Sequence, residues 1–427
     1  MKILIRNGIV VTDEYEKSLD VLIEDGVISR IAENFTADVD IVLDVEGSYV
    51  LPGLVDAHCH LRDPGYEYKE DIASGTRSAA MGGFTSVACM PNTNPTADNK
   101  TVIRYIIDKA GREGVVHVFP IGAMTKGLKG EELSEMGEMK EAGIVGVSDD
   151  GCCVENASVM KKVMLYAKMF GLPVICHCED SKLAEEGVMN EGELSTRMGL
   201  RGKSKAAEEI MIARDIILSQ RFDVPVHICH VSTALGVEII RKAKRNGVKV
   251  TAETCPHYFT LTERACEGYN TLAKVNPPLR NEEDIEAIIQ GLCDGTIDII
   301  ATDHAPHHID EKNVEFDKAA SGLVGFETAL PLSYTALVKP GHMSMSELVR
   351  KMSVKPAEIL KIDKGKLVEG KMADITVFNP NTEYTIDTDK FVSKSKNSPF
   401  HGFHVSGRVI ATIVNGRIVV KDGKLAV

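Results

Sequence analysis

The feature that most constrains this chain is a repeated alternation along its middle. Eight short apolar stretches rich in β-branched residues are spaced between segments whose apolar residues fall three and four apart. The stretches are LPGLVDAH (51–58), FTSVACM (84–90), VHVFPIGA (116–123), GIVGVSDD (143–150), PVICHC (173–178), VPVHICHV (224–231), VKVTAETC (248–255) and DIIATDH (298–304). Continuous β-branched strands imply burial on both faces, as in a parallel sheet lying under helices. Asn156 to Phe170 and Ala206 to Gln220 carry the helical spacing. Eight strand–helix units over about 290 residues predict an α/β fold, the (β/α)8 barrel. A doubly wound open sheet is the runner-up, but the GxGxxG turn that accompanies nucleotide-binding sheets is absent after the first strand.

The two ends of the chain read differently. The N-terminal region holds ILIRNGIVV, DVLIEDGVISRIA and DIVLDVEG, and the C-terminal region holds ADITVFNP, EYTIDT and RVIATIVNGRIVVKDG, with NG and DG turn signals. Neither set buries a face alone, so the economical arrangement is one small β-sandwich-like domain built from both termini. That places residues 1–51 plus 361–427 in the composite β-domain and 52–360 in the barrel.

Charge narrows the partners. With 49 basic and 62 acidic residues the chain carries −13 at neutral pH, a field that repels nucleic acid and anionic membrane surfaces. No apolar run reaches the roughly 18 residues of a membrane span, and the opening lacks a signal-peptide core, so the expectation is a soluble cytoplasmic protein. Ten cysteines in 427 residues are too sparse for a disulfide scaffold. Cys59, Cys176, Cys178 and Cys229 flank histidines and read as small buried hydrophobes rather than zinc ligands.

A barrel carries its chemistry at the C-terminal ends of its strands. There the chain places an HxH pair (His58, His60), Asp149-Asp150, His177, His230 and Asp303-His304. A lone histidine on an apolar strand is usually a satisfied core residue, but four of the chain's 13 at one rim beside carboxylates call for another reason. Imidazole and carboxylate donors suit catalytic zinc. Six ligands exceed one tetrahedral site. The expectation is two Zn2+ per chain, one on His58, His60 and Asp303 and the other on His177 and His230, bridged by Asp150 and a hydroxide.

The run GLVDAHCH (53–60) resembles the opening signature of the amidohydrolase superfamily. HCHLRDPG (58–65), MPNTNP (90–95), SDDG (148–151), ATDHAPH (301–307) and KGKLVEGKMADITVF (364–378) are similar to the bacterial type I dihydroorotases, over nearly the whole chain. The resemblance implies zinc-dependent, reversible cyclisation of N-carbamoyl-L-aspartate to L-dihydroorotate, a step of de novo pyrimidine biosynthesis. Related hydantoinases and allantoinases bridge their metals with a carboxylated lysine on strand four. Here that strand has no lysine, and Asp149 reads as a loop or supporting residue beside the bridge. Arg62 is placed to clamp the dihydroorotate carboxylate. His60, Asn92, Asn276 and His307 match further substrate-binding positions, and Ser321 and Gly322 fall where the family offers backbone groups to the ring.

The implied chemistry is that two zinc ions lower the pKa of a bridging water towards about 7. Hydroxide attacks the ring amide, and Asp303 takes the proton and returns it to the leaving nitrogen. The resemblance leaves open a homodimer and an assembly with aspartate carbamoyltransferase. Two readings compete: a hydantoinase- or allantoinase-like amidase, separable by its turnover of those rings, and a scaffold of the same fold. A scaffold should lack one of the six ligands, and none is missing.

Overall fold

The computed structural model describes residues 1–427. Eight parallel strands form a ring: β1 (Leu54–Cys59), β2 (Phe84–Cys89), β3 (His117–Pro120, continued by Gly122–Ala123), β4 (Val147–Ser148), β5 (Val174–Cys176), β6 (Val226–Ile228), β7 (Val250–Thr254) and β8 (Ile299–Ile300). Each pairs in parallel with the next. The ring closes where Cys59 bridges His304, and the His60 N–H donates to the His304 carbonyl at 2.8 Å. The fold is a (β/α)8 barrel.

Several strands are shorter than their apolar runs. β4 and β8 keep two residues each, because the chain leaves the ladder as soon as it reaches the mouth. Arg62, His230 and Asp303, all just past strand ends, have φ of 61°, 33° and 45°. Left-handed backbone at non-glycine residues persists only where the surroundings hold it, and here it breaks the strand alternation at the functional positions. The run 51–58 is two strands rather than one. Tyr49–Pro52 joins the terminal sheet, Leu54–Cys59 is β1, and Gly53 is the pivot, where a Cβ would come within 2.2 Å of the Thr85 hydroxyl.

Helices α1 (Ile72–Met81), α2 (Lys100–Glu113), α3 (Met136–Ala142), α4 (Ala157–Met169), α5 (Ala206–Phe222), α6 (Ala234–Arg245) and α7 (Glu282–Cys293) follow β1 to β7 in turn. Asp71, Asn99, Asn156, Thr233 and Asn281 start five of them by accepting N–H groups of the first turn. Asn156 and Phe170, read as helical, are the caps of α4, and α5 runs two residues beyond Gln220. The outward faces of the strands and the inner faces of these helices share the largest apolar core. Cys176 and Cys178 are buried in it, and the Cys178 thiol donates to Asp215 of α5 at 3.6 Å.

The termini meet in one sheet. Its strand order is Lys424–Leu425, Arg417–Lys421, His404–Val414, Ile375–Thr385, Tyr49–Pro52, Ile9–Val11, Glu16–Ser18. Ile375–Thr385 lies antiparallel to Tyr49–Pro52, with Ile375 opposite Pro52. A second sheet runs Val27–Ala32, Asp20–Glu24, Lys2–Arg6, Ile41–Asp44. Ile3, Ile5 and Val21 share a buried cluster with Ile375, Val377 and Ile413. At roughly 1.5–3 kcal/mol per buried aliphatic side chain, that cluster ties the two ends firmly. No helix is long and apolar enough to cross a membrane.

Candidate active site

Side chains from five strand ends converge at the mouth of the barrel. His58, His60, Asp150, His177, His230 and Asp303 are all buried there. Asp150 is central: its Oδ1 lies 3.4 Å from His58 Nε2, 3.5 Å from His177 Nδ1 and 3.6 Å from His230 Nε2, and its Oδ2 lies 3.4 Å from His60 Nε2. Asp303 Oδ1 is 3.1 Å from His60 Nε2 and 3.5 Å from His58 Nε2. The ligand atoms of His58, His60 and Asp303 all lie within 4.8 Å of one another, as do those of Asp150, His177 and His230. Cys229 also comes within 4.8 Å of His58 and Asp150.

Partners behind the rings decide which nitrogen faces inward. His58 Nδ1 is 2.6 Å from Glu253 Oε1 and donates to it, which leaves Nε2 toward Asp150. His60 Nδ1 is 2.9 Å from Asn92 Oδ1 and leaves Nε2 likewise. Burial pulls the His58 pKa down, yet Asp150, Glu253 and Asp303 together hold it well above the usual imidazole value. Burial pushes Asp303 up, and His58 and His60 more than offset it, to about 2. Asp150 is held far below the usual carboxylate range, burial being outweighed by His58, His177 and His230.

This pocket of ionised carboxylates and imidazoles favours a cation. His58 Nε2 and Asp150 Oδ1 are buried polar atoms without a hydrogen-bond partner. Such an atom costs roughly 1–3 kcal/mol when nothing satisfies it. The inward donors are nitrogen and oxygen, so the residues fit a catalytic divalent metal.

A cavity of about 310 Å³ opens on the cluster, and every site residue read from the sequence lines it except His58, which is fully buried. Arg62 is half-buried. Its Nε donates to the Pro306 carbonyl at 3.2 Å, its Nη2 lies 3.3 Å from His307 Nε2, and no carboxylate pairs with it. Burial lowers its pKa against the pull of Asp303 and Glu311. A partly desolvated guanidinium without a counter-ion is suited to a carboxylate ligand. Burial and Arg62 bring the His307 pKa to about 3, so its ring is neutral, and it lies 2.9 Å from the Ser321 carbonyl. His60 engages Asn92 Oδ1 and Lys203 engages Asn276 Oδ1 at 2.5 Å, so both amides keep N–H donors for the cavity.

Gly322 also lines the cavity. Its N–H donates to the Lys274 carbonyl at 2.9 Å, and its carbonyl accepts one hydrogen bond from Asn397 at 3.1 Å. What Gly322 supplies is room: at φ 137° a Cβ would stand 2.7 Å from that of Ala305. Asp149 faces away from the cluster and accepts the Met124 and Thr125 N–H groups at 2.7 and 3.1 Å. His304 leaves the rim too, stacked on Phe326 at 4.0 Å.

Sequence reasoning missed Glu253, Lys203 and Glu179. Glu253 is the one charged residue of its strand, Val250–Thr254, and that buried carboxylate was the available signal. Lys203 and Glu179 lie in the excursion between β5 and α5, where no spacing marks them.

Comparison with known proteins places this geometry. A family described as Dihydro-orotase-like matches residues 47–235, and one described as Amidohydrolase family matches 323–420. A dihydroorotase of Acetivibrio thermocellus is 62% identical over 98% of this chain and 99% of its own length. One of Ruminiclostridium cellulolyticum is 61% identical over 99% of both. Among solved structures, an L-hydantoinase (dihydropyrimidinase) from Arthrobacter aurescens superposes with a TM-score of 0.91 at 26% identity, covering 100% of this chain and 97% of that one. The barrel is thus shared with a hydantoinase at low identity, whereas near-complete matches above 60% point one way: the chain belongs to the dihydroorotase family of amidohydrolases.

Proposed function

We propose that this enzyme interconverts N-carbamoyl-L-aspartate and L-dihydroorotate, with two zinc ions held by His58, His60 and Asp303 and by His177 and His230, and Asp150 shared. The observation that carries the reading is the unpaired Arg62 guanidinium in the same 310 Å³ cavity as that cluster. It suits a ring bearing a carboxylate, and an uncharged hydantoin would leave it without a counter-ion. Bound zinc would supply an activated water and a polarised carbonyl. Asp303, ionised at neutral pH, accepts the proton of the attacking water and delivers it to the leaving ring nitrogen. Arg62 holds the carboxylate, while neutral His307 and the amide N–H groups of Asn92 and Asn276 orient the ring. The Ser321 N–H, which has no partner in the chain, is the backbone donor for it.

The same reading assigns residues 1–51 with 361–427 to one domain and 52–360 to the other, supported by the cluster that joins Ile3 and Ile5 to Ile375 and Ile413. It also puts the work in the cytoplasm, on small soluble acids. The test is direct: metal analysis of purified protein, with turnover of L-dihydroorotate compared with hydantoin and allantoin. Saturable turnover of dihydroorotate with two zinc ions per chain is expected; preference for an uncharged ring would move the enzyme to the hydantoinases.

A further inference from the structure

The connection between the terminal strands Ile375–Thr385 and His404–Val414 leaves its own sheet and reaches the barrel mouth. It is fastened on the way. Glu327, in the helix Phe326–Ser333, accepts the Val392 and Ser393 N–H groups at 2.8 and 3.1 Å. Buried Glu70 accepts the Lys394 N–H at 3.2 Å, and the Ser395 hydroxyl donates to the Lys69 carbonyl at 2.6 Å. Beyond these anchors stands Asn397, 4% exposed. Its Oδ1 accepts the His307 N–H at 3.0 Å, and its Nδ2 donates to the carbonyls of Ala305 and Gly322, both at 3.1 Å. Both N–H donors of the amide are thereby used. A flipped amide would set N–H against N–H at His307 and oxygen against two carbonyls, so only this orientation fits.

Ala305, His307 and Gly322 all line the cavity, whereas Asn397 does not. Ala305 and His307 flank Pro306, whose carbonyl accepts from Arg62 Nε at 3.2 Å, and the His307 ring lies 3.3 Å from Arg62 Nη2. One buried amide, 75 to 92 residues away along the chain, therefore holds the segment that aims the guanidinium. We propose that Asn397 is a positioning residue: it sets His307 and, through the Pro306 carbonyl, Arg62 where the ring and its carboxylate bind. This rests on the dihydroorotase reading. Without the amide, two carbonyls and one N–H lose their partner and residues 305–307 are free to shift. A displacement of about 1 Å at groups that orient a substrate can cost on the order of 100-fold.

The test compares Asn397→Ala with wild type, both zinc-loaded, on L-dihydroorotate. KM should rise about 10- to 100-fold while kcat changes by less than about threefold, because the groups displaced bind the ring and the metal ligands stay in place. Loss of folded protein alone lowers the apparent kcat and leaves KM where it was. An unchanged KM therefore overturns the proposal, whatever the thermal midpoint does. Adding Asn397→Ala to His307→Ala should raise KM by a smaller factor than adding it to wild type, since part of its effect runs through that ring. The same factor in both backgrounds would overturn the proposal too. Asn397→Asp keeps the acceptor for the His307 N–H but turns an oxygen toward two carbonyls, so it should do no better than alanine; a wild-type KM there would show that the donated bonds position nothing. Zinc content and the thermal midpoint report folding, and if Asn397→Ala does not fold, Asn397→Ser is read by the same KM and kcat. Wild-type protein that fails to turn over dihydroorotate would instead sink the dihydroorotase reading.

Discussion

Replacing Arg62 by Met separates a substrate clamp from a structural cation. Within the protein the guanidinium makes one hydrogen bond to the Pro306 carbonyl at 3.2 Å and a 3.3 Å contact with His307, and it has no ion pair. Those long contacts contribute about 0.5–1.5 kcal/mol each to stability, so Met, which keeps the bulk, should leave the fold intact. A substrate carboxylate left without its charged, partly desolvated partner loses on the order of 2–5 kcal/mol. At about 1.4 kcal/mol per decade that is a fall of roughly 30- to several-thousand-fold in kcat/KM for dihydroorotate. The control substrate is 5,6-dihydrouracil, the same ring without the carboxylate, whose residual turnover should change by less than about threefold. Arg62→Lys should recover only part, because an ammonium keeps the charge and loses the planar fork. Equal losses on the two rings would refute the clamp and make Arg62 a scaffold residue.

Asp150→Ala removes the carboxylate that lies within 3.6 Å of all four histidines. Elemental analysis should then find at most one zinc per chain, with activity lost and circular dichroism unchanged; full activity would remove Asp150 from the site. Glu253→Gln keeps the shape behind His58 but not the charge, and a chelator challenge should show about 10- to 100-fold weaker metal binding. Unaltered resistance to chelation would reduce Glu253 to core filling. His257 is buried, with its pKa lowered to about 4 by burial. As pH falls below about 6.5 the unfolded chain takes up a proton there that the folded one refuses, so stability drops by up to about 1.4 kcal/mol per pH unit until about pH 4. His257→Phe should therefore lose less thermal stability than wild type between pH 7 and pH 5; parallel curves would contradict a neutral buried imidazole.

The strand ends show where sequence reading suffices and where it stops. Strand order and the rim position of His58, His60, Asp150, His177, His230 and Asp303 follow from periodicity and from a rule about barrel ends, both properties of local sequence. The expectation that one strand spans 51–58 failed because a pivot at Gly53 depends on Thr85, which no local pattern reports. For Gly322 a motif gives its place in the cavity, whereas its bonds to Lys274 and Asn397 join segments that no local pattern relates.

What the amino-acid order by itself determined is the barrel, the termini as β-rich segments, and the residue types that collect at one rim, because hydrophobic period and turn chemistry act over a few residues. Only the tertiary structure decided which nitrogen of His58 faces the cluster, since the deciding carboxylate, Glu253, is 195 residues away in the chain. It alone set Asp149 aside from Asp150, two like neighbours whose roles differ because the Met124 and Thr125 N–H groups capture one of them. It alone brought Lys203 to the cavity wall, an outcome of how Arg280 anchors a loop. Contacts of that kind are fixed by packing across the barrel mouth, where sequence distance carries no information about distance in space.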